Sequence, residues 1–117
     1  MNRQDFKKRT QQYALRVIRL VESLPEDRTS RILGDQLLRA GTSVGANYRA
    51  SIRAKSRADF ISKMGIVEEE CDESLYWMEI LIEAGKIPVR RLAALMQEGG
   101  EIIAIVVASI KTARHRT

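Results

Sequence analysis

The stretch QLLRAGTSVGANYRASIRAKSRADFISKMGIVEEECDESLYWMEIL, residues 36–81, decides the fold, because two helical patterns run through it with a turn between them. Before the turn, Leu37, Ala40, Val44, Asn47 and Ser51 recur in alternating steps of three and four. After it, Phe60, Met64, Val67, Cys71, Ser74, Met78 and Leu81 repeat the same alternation. Steps of three and four hold one face of an α-helix against a partner, whereas a half-buried strand alternates in twos. Ser56 is placed to cap the second helix, with Asp59 in its first turn.

The same spacing extends outward in both directions. The seam of the first of these helices reaches back to Leu33, and the turn PEDRTS before it offers Asp27, Thr29 or Ser30 as N-cap. Upstream, Tyr13, Val17, Leu20, Val21 and Leu24 predict a helix from about Asp5 to Leu24, ended by Pro25. Downstream, Gly85 is placed to end the third helix and Pro88 to open a fourth, with Leu92, Met96, Gly99, Ile103, Val106, Ile110 and Ala113 as its seam. Four helices joined by short turns predict an all-α, antiparallel up-down-up-down four-helix bundle, one domain over residues 1–117. A hydrophobic fraction of 44% is enough for one core at this length. Ala40, Gly41, Ser43, Gly45 and Ala46 allow a neighbouring helix to approach the second one closely, and Gly99 and Gly100 read as packing sites or a bend.

Several chemistries lack their residues. A dimetal-carboxylate bundle needs Glu-x-x-His pairs on two helices, and the sole histidine is His115. Glu68, Glu69 and Glu70 are consecutive, so on a helix they point about 100° apart and cannot converge on one ion. Cys71 lies on a core seam with no histidine to act as its base. The segment GTSVG lacks the spacing and Lys-Ser/Thr ending of a phosphate loop. The expectation is a protein without catalytic residues, metal or cofactor. A single cysteine and a polar N-terminus, MNRQDFKKRTQQ, point to the cytoplasm, and the apolar run Ile102–Ile110 is too short to span a bilayer, so no membrane partner is expected.

Charge is the informative feature. Residues 59–87 hold two basic and eight acidic side chains, although the chain as a whole is +5. In an up-down-up-down bundle, residues 1–12, 47–64 and 109–117 gather at one end. They contain Arg3, Lys7, Lys8, Arg9, Arg49, Arg53, Lys55, Arg57, Lys63, Lys111, Arg114 and Arg116, opposed only by Asp5 and Asp59. Arg49, Arg53 and Arg57, spaced by four, are expected to form one stripe suited to the phosphates of RNA or DNA. The plainer alternative is a solubilising surface. The fourth helix is apolar around most of its circumference, so Ile102 and Ile105, with Tyr76 and Trp77 beside the third seam, are candidates for a subunit interface.

Gln36, Leu37, Arg39, Ala40, Ser43 and Asn47, then Phe60, Glu70-x-x-Glu73-Ser74 and Tyr76-Trp77, and the ending Ser109-Ile110-Lys111-Thr112 together form a specific combination. It resembles the four-helix-bundle family named for reading frames inside intervening sequences of bacterial 23S ribosomal RNA genes. The resemblance implies a homo-oligomer, a pentameric ring favoured, with no established catalysis. A distant branch similar to this fold comprises basic accessory proteins of diversity-generating retroelements, which bind nucleic acid and a reverse transcriptase. Membership of that branch would imply a reverse transcriptase as partner. Within such a bundle Arg39 and Asn47 on the second helix and Glu70 and Glu73 on the third are expected to form a structural polar layer. The reading that combines charge and resemblance is a nucleic-acid-binding accessory protein, and its alternative is a structural or protein-binding oligomer.

Overall fold

A computed structural model describes residues 2–116 of the chain. Its helices are α1 (Arg3–Glu22), α2 (Arg28–Ser51), α3 (Arg57–Glu83) and α4 (Val89–His115). Each packs on the next in sequence and α4 returns to α1, the loosest of the four seams. The result is an all-α, up-down-up-down bundle, a rod of 51 × 21 × 21 Å. A helix of 27 residues is about 40 Å long, so the helices must lie along the rod.

Local chemistry sets the helix ends. The side chains of Asn2, Asp27 and Ser56 accept hydrogen bonds from the backbone N–H groups of Asp5, Ser30 and Asp59 at 2.8, 2.8 and 3.0 Å. Capped by Asn2, α1 starts at Arg3, two residues before the expected position, and Ser23 rather than Leu24 closes it. Gly85 adopts φ 72°, and the bonds from Lys86 N–H to Leu81 C=O and from Gly85 N–H to Ile82 C=O complete a Schellman stop. Pro88 then precedes α4 in extended conformation, at its N-cap.

Inside the rod, α1 and α2 approach closely because position 41 has no side chain. A Cβ there would lie 2.8 Å from both methyl groups of Val17. Position 99 is equally tight, since a Cβ would meet Leu75 and the Tyr13 hydroxyl at 2.8 Å. Tyr13 donates or accepts across the core at 2.8 Å from the Ser74 hydroxyl, which in turn donates to Cys71 C=O at 2.6 Å. With Gly99 facing Tyr13, Leu95 and Ile102 point inward, whereas the sequence pattern placed Met96 and Ile103 on the seam; these two pack partly buried on the flanks. On α2 the buried position is Tyr48 in place of Asn47. The α4 helix is long and apolar enough to cross a membrane by length and composition, yet its Leu92, Leu95, Ile102, Val106 and Ile110 form part of the bundle core.

Gly41→Ala should lower stability by about 1–3 kcal/mol through overpacking against Val17. Gly100→Ala, with nothing within 4 Å of the added Cβ, should raise it by roughly 0.5–1 kcal/mol. Urea unfolding followed by circular dichroism checks both, and shifts of the same sign would contradict the close α1–α2 approach.

Candidate nucleic-acid interface

One end of the rod collects the start of α1, the link between α2 and α3, and the end of α4. Phe6 and Tyr48 anchor it, with ring centroids 4.7 Å apart in an edge-to-face pair at 90°. Both are buried. Beyond Ser51 the chain tightens, through bonds from Arg53 N–H to Ala50 C=O and from Ala54 N–H to Ser51 C=O. This turn breaks the stripe expected of Arg49, Arg53 and Arg57. Arg49 is on the last turn of α2, Arg53 in the link and Arg57 on the first turn of α3, so the three share an end of the molecule and not one helix face.

Of the twelve basic residues expected at this pole, ten are in no ion pair among the described residues: Arg3, Lys7, Lys8, Arg49, Arg53, Lys55, Arg57, Lys111, Arg114 and Arg116. All of these are exposed except Lys7, which is half-buried. Arg9 is the correction. Its Nε reaches Glu98 at 2.6 Å and its Nη2 reaches Glu98 and Glu101 at 2.8 and 2.7 Å. The hydrogen bonds it donates to Glu98, and to Glu101 beside it, raise its pKa. Arg9 therefore ties α1 to α4 and is not free for phosphate. Lys63 is likewise paired, at 2.7 Å to Asp59. Lys63 and the Lys55 backbone N–H hold the Asp59 carboxyl below its ordinary value.

The expected polar layer exists in part. Arg39 bonds Glu70 at 3.1 Å and also Glu73, linking α2 to α3. It runs over the surface, since half of the Arg39 side chain is exposed. The bond from Arg39, with a second from Trp77 Nε1, holds the Glu73 carboxyl below its ordinary value. Asn47 takes no part: its Nδ2 donates to Ser43 C=O within α2 at 2.8 Å.

The interface candidates separate by burial. Ile102 is fully buried and belongs to the subunit core, so it cannot face a second copy. Ile105 packs partly buried against the core, as does Trp77. Tyr76 is 52% exposed and meets Trp77 edge-on at 5.0 Å. Ile32 on α2 and Ile66 on α3, which the seam pattern gave no reason to single out, are also exposed.

Little here suits covalent chemistry. Burial pushes the Cys71 thiol up to about 12, so almost no thiolate exists at neutral pH. Among the described residues, no group of three or more His, Cys, Asp or Glu side chains could hold a metal ion.

The fold and its charged end define a small antiparallel four-helix bundle with one strongly basic pole. The chain belongs to the 23S rRNA-intervening sequence protein family, whose profile matches residues 2–108. It is similar to a crystal structure of a protein of unknown function from the S23 ribosomal protein family of Bacteroides thetaiotaomicron VPI-5482. The two are 34% identical, with a TM-score of 0.85 over 91% of this chain and 98% of that one. No curated protein matches the chain.

Arg9→Ala should lower stability by about 1–2 kcal/mol, because Glu98, with only 18% of its side chain exposed, loses its partner. Arg39→Ala, at an exposed pair, should leave the melting temperature near that of the parent. Acid should act through carboxyls held below their ordinary values: Asp27 by the Ser30 N–H, Asp59 by Lys63, Glu73 by Arg39 and Glu101 by Gln97 and Arg9. A depressed folded pKa contributes stability above the unfolded pKa that is lost as pH falls through the folded one. The urea midpoint should then stay level from about pH 8 to 5 and fall below about pH 4.

Proposed function

We propose that the protein is a nucleic-acid-binding accessory protein that works by binding and not by catalysis, as a homo-oligomer with a pentamer favoured. The observation that carries this reading is the set of ten basic side chains, from three separate segments, that share one end of the rod without a carboxylate partner among the described residues. Like charges brought together repel, and a polyanion relieves that repulsion while releasing its counterions. The pole has few groups for reading bases, because Phe6 is buried and Phe60 packs partly buried on the core. Phosphate contacts then supply most of the affinity, for RNA and DNA alike, with little sequence discrimination. The family's name attaches to intervening sequences of 23S rRNA, which favours RNA as the first probe.

A second reading, an oligomer that binds protein alone, draws on a different observation. Ile32 on α2 and Ile66 and Tyr76 on α3 are 51, 42 and 52% exposed. Exposed apolar side chains on two neighbouring helices favour contact with another subunit. The two readings respond differently to salt.

Fluorescence anisotropy with single-stranded RNA and duplex DNA should show affinity falling steeply between low and high salt. Replacing Arg49, Arg53 and Arg57 with Gln should weaken binding to all sequences alike and reduce the salt slope by roughly 0.7–0.9 for each phosphate that is no longer neutralised. Absence of binding by the parent at low salt would leave the protein-binding oligomer as the reading. Light scattering should give a mass several times the 13.3 kDa of one chain, and Tyr76→Glu should reduce it without loss of helicity. A parent of monomer mass would remove the oligomer.

A further inference from the structure

A groove of about 910 Å³ opens at the centre of the basic pole. Ile52, Phe60 and Ile105 give it an apolar lining, and Arg3, Arg57 and Arg116 are set around it. Elements from α1, the α2–α3 link, α3 and α4 all contribute, so the groove is a product of the tertiary fold and not of one helix surface. Its volume lies in the range of roughly 300–1,000 Å³ typical of small-ligand sites.

We infer that this groove is a binding site for a small amphipathic anion, a carboxylate, sulfonate or phosphate joined to an apolar body. Two features select that class. The apolar lining offers water-exposed surface that an acyl chain or ring system would cover, each methylene adding roughly fourfold to affinity while room remains. None of the three guanidinium groups has a carboxylate partner among the described residues, so the acid group of a ligand supplies the countercharge that the chain does not. A cationic amphiphile meets the same lining but is repelled by the three arginines. An inorganic anion meets the arginines but covers no apolar surface. The site stands apart from the nucleic-acid reading, since it requires the groove as well as the charge.

Calorimetric titration of the full chain with decanoate tests it, against decyltrimethylammonium, acetate and inorganic phosphate. Decanoate should bind once per subunit, at least about tenfold tighter than the cation, with acetate and phosphate undetectable in the same range. Replacing Arg3, Arg57 and Arg116 with Gln should weaken decanoate about tenfold or more. Ala108→Phe, at an exposed position lining the groove, should weaken decanoate by filling its space while leaving RNA binding intact, because no cation is removed. Equal binding of cation and anion, equal binding of acetate or phosphate, or no effect of either variant overturns the site. So does a change of oligomer mass in Ala108→Phe, which would make the groove a contact between copies. In the unmodified chain, absence of RNA binding with decanoate bound would remove the nucleic-acid reading and leave this site standing; absence of decanoate binding with RNA bound does the reverse. Circular dichroism of both variants establishes that they fold, and the arginine variant alone suffices if Ala108→Phe does not.

Discussion

Tyr13 reaches across the core from α1 to Ser74 on the diagonally opposite helix α3, fully buried, and the other helices are arranged around that reach. Burial raises the pKa of its phenol and would cost about 1–3 kcal/mol if the hydroxyl had no partner. Ser74 is held for the purpose by its own bond to Cys71 C=O. The phenol fits only because residue 99 has no side chain, and this turns α4 so that Leu95, Ile102 and Val106 follow Gly99 inward. One buried hydrogen bond thus sets the rotation of three helices. Apolar packing alone would accept Met96 and Ile103 in place of Leu95 and Ile102, since oil-like contacts have no direction.

The charge pattern follows from where the carboxylates are used. Glu70 and Glu73 face Arg39 along the middle of the rod, Glu98 and Glu101 face Arg9, and at the far end Asp27 meets Lys86 at 3.4 Å. Acidic groups are therefore engaged in joining helices at the centre and one end. The other end keeps ten of its twelve cations without partners among the described residues, and the three segments that supply them are brought together only by the antiparallel order. Topology, more than local composition, makes the pole.

How much of this was legible depends on whether a feature is local. The cap at Ser56, the stop at Gly85 and the start after Pro88 involve residues within a few positions of each other, and the sequence names them directly, while for α2 it offered Asp27 beside Thr29 and Ser30. The seams of α1 to α3 were mostly legible because one spacing fits them best. In α4 two parallel runs of apolar residues compete, and the choice rests on Tyr13, which is distant in sequence. The Arg9–Glu98 pair is separated by 89 positions, which is why Arg9 read as one more free cation. Arg49, Arg53 and Arg57 looked continuous because a spacing of four is silent about the turn that separates them. Asn47 could have bonded either way, and its own helix was nearer than its neighbour.

The loose α1–α4 seam has a kinetic meaning. Every other seam joins helices that are neighbours in the chain, so those hairpins close over short loops and need little search. The α1–α4 contact alone closes a loop running through the whole bundle, and it gains the least from doing so. The molecule should then behave as three consecutive hairpins that zip early, with a fourth edge that seals last and breathes first. Amide protection on α1 would be lower than on α3 for that reason alone. The basic end lies beside that edge, at the place where the protein can change shape for the smallest free energy.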